Sequence, residues 1–125
     1  MFINNNTDSI LQQVGENISN LAIESIRYNP ERTLSDEVKT QLIKTAISVF
    51  DRQQNLIYKR HEWIIEIERT KLKCNKLLIF LNQAHHEGKI HHSEFLNLEI
   101  QIKDQIKRLN EASNKIELKN RRIIN

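Results

Sequence analysis

Four imidazoles lie close together in this chain, as His85-His86 and His91-His92. Imidazole nitrogen is a good ligand for Zn²⁺ and Ni²⁺, so the cluster raises metal chemistry first. The spacing H-H-x₄-H-H matches no zinc motif and brings no carboxylate triad with it, so it reads as a solvated turn between two helices, with no metal assigned. Cys74 raises nucleophilic chemistry, with a His as base. It lies seven residues after Ile67 and seven before Leu81, which puts it on their apolar face, where a free Cys behaves as a small hydrophobe. Glu62, Glu66 and Glu68 raise acid/base chemistry. Glu62 and Glu66 share a face with Arg69, Lys73 and Lys76, and Glu placed ahead of a base at helical spacing is ordinary surface support. Trp63 and Phe95 offer a stacking platform for bases, but both fall on core stripes. The chain has no Gly-rich phosphate loop, metal motif or catalytic triad, so it reads as a non-enzyme without a cofactor.

What remains is positive charge at helical spacing. Arg69, Lys73 and Lys76 stand at i, i+4, i+7, and Lys115, Lys119 and Arg122 repeat the pattern. Each row sets three cations along one helix edge, the arrangement that binds phosphates by position and weakens steeply in salt. The net charge is only +3, but it is unevenly spread. Residues 1–30 carry Arg27 against Asp8, Glu16 and Glu24. From Ile100 onward, Lys103, Lys107, Arg108, Lys115, Lys119, Arg121 and Arg122 face only Asp104, Glu111 and Glu117. Such asymmetry attracts anionic partners.

Helices must position these groups. In 125 residues there are two Gly and one Pro, too little turn chemistry for a sandwich or barrel. The length suits one domain, 1–125, with 1–7 and 118–125 as loose ends. No run of 18 apolar residues is present to span a membrane. Met1 to Thr7 has neither the basic nor the apolar region of a secretory signal, and one Cys makes no internal disulfide, so the expected location is cytoplasmic.

Ile10, Leu11, Val14, Ile18, Leu21, Ala22 and Ile26 recur in steps of 3 and 4 and mark a first helix. Thr7 or Asp8 is placed to cap it, and Tyr28-Asn29-Pro30 ends it. Thr33 or Ser35 opens a second helix, with Val38, Leu42, Ile43, Ala46, Val49, Phe50 and Ile57 as its stripe. A polar turn near Ile57–His61 then follows, the alternative being one continuous helix. The third stripe is Trp63 or Ile64, then Ile67, Cys74, Leu77, Leu78 and Leu81, closed by Gly88 as a left-handed C′ residue. Ile90 and Phe95 bracket the fourth start as a hydrophobic staple, with His91 or Ser93 as N-cap. Phe95, Leu98, Ile102, Ile106, Leu109, Ser113 and Ile116 follow at an average spacing near that of packed helices. The fold class is therefore all-α, an antiparallel up-down four-helix bundle.

The stretch Trp63-Ile-Ile-Glu-Ile-Glu, then Lys71-Leu-Lys-Cys-Asn-Lys-Leu-Leu-Ile-Phe-Leu-Asn-Gln-Ala, a turn, and His91-His-Ser-Glu-Phe-Leu-Asn-Leu-Glu-Ile-Gln-Ile resembles the second half of a known bundle family. That family comprises the accessory variability determinant (Avd) proteins of diversity-generating retroelements and proteins encoded in ribosomal-RNA intervening sequences. Upstream, Tyr28-Asn-Pro-Glu-Arg-Thr-Leu34 is similar to the family's first interhelical turn. Leu109-Asn-Glu-Ala-Ser-Asn stands where many members carry Gly-Trp. The resemblance spans roughly residues 10–116. It implies a homo-oligomer, pentameric in the best-known members, that binds RNA or cDNA and accompanies a reverse transcriptase. Carried over by position, the cations are Arg69, Lys73, Lys76, Lys103, Lys107 and Arg108.

A second reading is a protein–protein interaction module, a chaperone or an inhibitor, that docks through an exposed apolar helix edge. Its sign is a surplus of apolar residues on the third helix, Ile64, Ile65, Leu72 and Ile79, which cannot all face one core.

Overall fold

The computed structural model describes the backbone of residues 5–27, 34–55 and 60–124, and the side chains of residues 10–27, 34–49 and 64–115. Four helices form: α1 (Asn5–Ile26), α2 (Asp36–Asn55), α3 (Arg60–His86) and α4 (His92–Ile124). They make a helical bundle in which α1 packs on α2 and α4, and α3 packs on the same two neighbours. The helical backbone includes 5–7 at the start of α1 and 118–124 at the end of α4. The α1 start at Asn5 also lies ahead of Thr7 and Asp8, so neither is the first-turn cap. The described helices end at Asn55 and resume at Arg60, the turn expected near Ile57–His61 falls mostly outside the described residues, and Arg60 and His61 belong to α3.

Local chemistry sets the other boundaries. Ser35, rather than Thr33, opens α2: the Val38 N–H donates to Ser35 Oγ at 3.4 Å, and the Lys39 N–H to the Ser35 carbonyl at 3.1 Å. Asp36 and Glu37 follow in the first turn, where the helix dipole favours them. At the end of α3 the Lys89 N–H bonds the Ala84 carbonyl at 2.8 Å and the Gly88 N–H bonds the His85 carbonyl at 3.1 Å. Gly88 takes a φ of 73°, so this is the double-bonded left-handed cap that Gly serves best. The Phe95 N–H bonds the His91 carbonyl at 2.9 Å, which makes His91 the N-cap and places Ser93 inside α4.

The core follows the stripes. Leu11, Val14, Ile18, Val38, Leu42, Val49, Ile67, Cys74, Leu77, Leu81, Ile102 and Leu109 are all buried. Each fully buried Leu or Ile contributes roughly 1.5–3 kcal/mol of transfer free energy. Ile90 and Phe95 are both buried, as a staple requires. Leu34, just before α2, forms an isolated antiparallel bridge with Ile90, just before α4. The α1–α2 and α3–α4 connections therefore meet at one end of the bundle. Asn17 Nδ2 donates to Gln105 Oε1 at 3.0 Å, and Arg108 Nη1 to Gln13 Oε1 at 3.3 Å. The pairing falls along α4 as it rises along α1, so these two helices run in opposite directions.

Two departures from the stripes matter. Ile26, expected in the core, is 58% exposed at the end of α1. With Ile23, Ser19 and Ala22 it lines an open apolar cleft of about 450 Å³ whose other wall is Ile43, Ala46 and Ile47 of α2. Glu66, expected on a charged surface face, is 1% exposed. Phe50, Trp63 and Ile116, also assigned to stripes, have side chains outside the described residues, and Tyr28, Pro30 and Ile57 lie wholly outside them.

Candidate nucleic-acid interface

The six cations carried by α3 and α4 divide between edges of the bundle. Arg69 and Lys76 are exposed on α3. Lys73, between them in the row, is half-buried, and its ammonium donates to Ser48 Oγ of α2. This row therefore borders α2. On α4, Lys103 and Lys107 are exposed on a common outer edge, since four residues separate them. Lys103 lies 3.7 Å from Glu99. Arg108 turns the other way: its Nε meets Asp104 at 3.1 Å and its Nη1 reaches Gln13 of α1. Among the described residues α2 and α4 make no contact, so the row beside α2 and the pair on α4 lie on different edges of the bundle. Lys115 is exposed on α4. Lys119 and Arg122 continue its helix, with side chains outside the described residues.

Apolar residues stand beside these cations. Ile65, Leu72 and Ile79 repeat every seven residues along the outer face of α3, opposite Cys74 and Leu81, and each is about half exposed or more. Ile64, the fourth residue of the expected surplus, instead packs partly against the core. Leu96 and Ile100 form a shorter exposed pair on α4, one turn ahead of Lys103 and Lys107. Arg69 and Lys76 follow Ile65 and Leu72 by four residues each, so cation and apolar rows run side by side.

At the α3–α4 turn two of the four histidines meet. His85 Nε2 and His92 Nδ1 lie 3.0 Å apart. The His85 ring stacks on Phe95, with centroids 4.4 Å apart and planes within 2°. Phe95 is thus covered by protein and offers no platform to a base. His86 and His91 are exposed. Among the described residues no three His, Cys, Asp or Glu side chains gather as a metal site. Lys89 bridges Glu37 of α2 at 2.7 Å and Glu87 at 3.2 Å. Its ammonium is held above the usual lysine range by the Glu37 bond first and the Glu87 bond second. The Glu87 carboxyl is held below its usual range by the bonds from Lys89 and Gln83.

Cys74 is fully buried, and desolvation pushes its thiol up to about 12. A thiol so placed stays protonated and is no nucleophile at neutral pH. Glu68 is exposed and pairs with Lys71 at 3.2 Å, ordinary helix-surface support. The buried polar residues Ser25, Thr45, Thr70 and Gln105 escape a search for apolar stripes. The three hydroxyls bond carbonyls of their own helices, so burial leaves them satisfied. Glu66 has a readable sign: it lies four residues before Thr70 and eight before Cys74, on the buried line of α3. None of the described helices is long and apolar enough to cross a membrane. Comparison with protein-family models, with curated proteins and with solved structures matches nothing to this chain.

Proposed function

We propose that this chain is a non-enzymatic accessory protein that self-associates, holds the backbone of RNA or cDNA, and works beside the reverse transcriptase of a retroelement. The observation that carries the reading is the outer face of α3, where Ile65, Leu72 and Ile79 run beside Arg69 and Lys76. Assembly through the apolar row repeats the cation row once per copy, and repetition turns a modest charge into a nucleic-acid track. The occupant of the row is a second copy of the chain, seated by its α1–α2 cleft. Ridge and cleft are both apolar and both built from Ile-rich helix edges. A ridge entering a different surface of the next copy makes a head-to-tail contact, which closes into a ring where the rotation between copies allows it. A pentamer and the reverse-transcriptase partner rest on the resemblance to Avd proteins. Backbone contacts position a nucleic acid without reading its sequence, so specificity falls to the partner complex.

Light scattering of the chain, with and without a short structured RNA, at about 0.05 M and 0.3 M salt, tests this reading. The expected result is an oligomer that gains RNA mass only at low salt. A monomer that ignores RNA overturns it.

The second reading, a protein-interaction module without nucleic-acid binding, draws on a different observation. Lys73, Lys103 and Arg108 are engaged with Ser48, Glu99 and Asp104, so fewer cations are uncommitted than the sequence offers. An oligomer or heterocomplex that forms without any RNA response favours this reading.

A further inference from the structure

The geometry points to a two-histidine site for a divalent transition-metal cation at the α3–α4 turn, formed by His85 Nε2 and His92 Nδ1. It stands apart from the nucleic-acid reading and does not depend on it.

The two nitrogens face each other at 3.0 Å across the turn, one at the end of α3 and one at the first position of α4. At that separation, with each nitrogen about 2.0–2.1 Å from a metal, the pair subtends about 95° at the ion. That is a neighbouring-ligand angle of a square-planar or octahedral centre, and it is narrower than the tetrahedral angle that Zn²⁺ prefers. Cu²⁺ and Ni²⁺ accept it, and Cu²⁺ stands highest in intrinsic affinity for nitrogen ligands. The cation takes the place of the one proton the two nitrogens share. Water fills its remaining positions, since His92 is exposed and the pair opens to solvent.

The ligands are held before any ion arrives. The His85 ring lies flat on Phe95, which is itself buried in the core. The Gly88 cap and the His91 cap fix the two helix ends relative to each other. A fixed ring and a fixed turn remove most of the ordering that flexible surface histidines undergo on binding. His86 and His91 are not part of the pair: the His86 ring centroid is 6.4 Å from that of His85, against 5.0 Å for His92.

The test is titration of the untagged, chelator-treated chain with Cu²⁺, Ni²⁺ and Zn²⁺, followed by calorimetry and by the visible absorption of the first two. One ion per chain is expected, with Cu²⁺ tightest and Zn²⁺ weaker than Ni²⁺. His85→Ala and His92→Ala each weaken binding by about tenfold or more, while His86→Ala and His91→Ala leave it within about threefold. Bound Cu²⁺ also raises the melting temperature by joining α3 to α4, and His92→Ala abolishes that rise. If His85→Ala does not fold, His92→Ala, at an exposed ring, carries the test alone. Equal losses in all four variants identify a loose histidine-rich loop and overturn the site, as does the absence of stoichiometric binding.

Discussion

Leu34 and Ile90 are 56 residues apart in sequence and pair as an isolated antiparallel bridge. Each sits just before a helix, and each is buried, so the bridge closes the core at the end where two connections meet. Truncating Ile90 removes a buried branched side chain and the staple partner of Phe95 at once. Ile90→Ala is expected to cost about 2–4 kcal/mol, read from the midpoint of urea unfolding with an unchanged slope.

Asn17 and Gln105 join α1 to α4 through a 3.0 Å hydrogen bond, and Gln105 is buried. Removing one partner leaves the other with an unmet amide, whereas removing both leaves apolar surface on each side. Asn17→Ala and Gln105→Ala are each expected to cost about 1–2 kcal/mol, and the double variant less than their sum. The coupling energy in the double-mutant cycle should be about 0.5–1.5 kcal/mol. Strict additivity would mean that the bond contributes nothing in solution.

Cys74 gives a pH dependence with a definite sign. Burial raises its thiol from 9.0 in the unfolded chain to about 12 in the fold. Between those values the folded state keeps the proton and the unfolded state has lost it, so stability falls as pH rises through that window. Below about pH 9 both states are protonated, and Cys74 adds no slope. Compared with Cys74→Ala, the parent chain should lose about 1.4 kcal/mol more per pH unit between pH 9 and 12. The thiol should also resist alkylating reagents at pH 8 until denaturant is added.

Glu66 and Glu68 are two residues apart and differ completely in setting. Glu66 is buried on the core line of α3, and Glu68 is exposed beside Lys71. Placing a cation at 66 puts an ammonium into a site shaped around a carboxylate, and Glu66→Lys is expected to cost more than about 3 kcal/mol. Glu68→Lys should change stability by no more than about 0.5 kcal/mol. Comparable effects at the two positions in thermal unfolding would overturn the assignment of Glu66 to the core.

Much of this architecture was legible because burial repeats with the helix period. Val14 and Ile18, Leu77 and Leu81, and Ile102 and Leu109 announce their faces through spacing alone, and Gly88 and Ile90 punctuate the chain between α3 and α4. The same logic misplaced Glu66, whose charge hides its position on the line, and Ile26, which keeps the period after α1 has reached the rim of the cleft. Periodicity gives the face of a helix but not the neighbour that face meets. Lys73 and Arg108 therefore looked like members of one basic set, yet one turns to α2 and the other to α1. The His85–His92 pair was equally hidden. Its 3.0 Å separation depends on the angle at which the capped turn returns the chain, not on the number of residues between the rings.

Ile65, Leu72 and Ile79 separate assembly from folding. They face away from the core, so an exposed Leu72 replaced by Glu loses no packing within the bundle, and its stability should stay within about 0.5 kcal/mol of the parent. In an assembly that buries the row, the same carboxylate enters an apolar contact and is stripped of water, which weakens association by several kcal/mol. Leu72→Glu should therefore lower the mass in light scattering while leaving the melting curve of the separated chain in place. Arg69→Ala and Lys76→Ala should act on the other term. Each is expected to leave the mass unchanged and to reduce the slope of log affinity for RNA against log salt by about one. A Leu72→Glu protein that keeps both its mass and its RNA binding would show that the apolar row meets some other surface. The cation rows would then have to act one bundle at a time, which their division between the α2 and α4 edges disfavours.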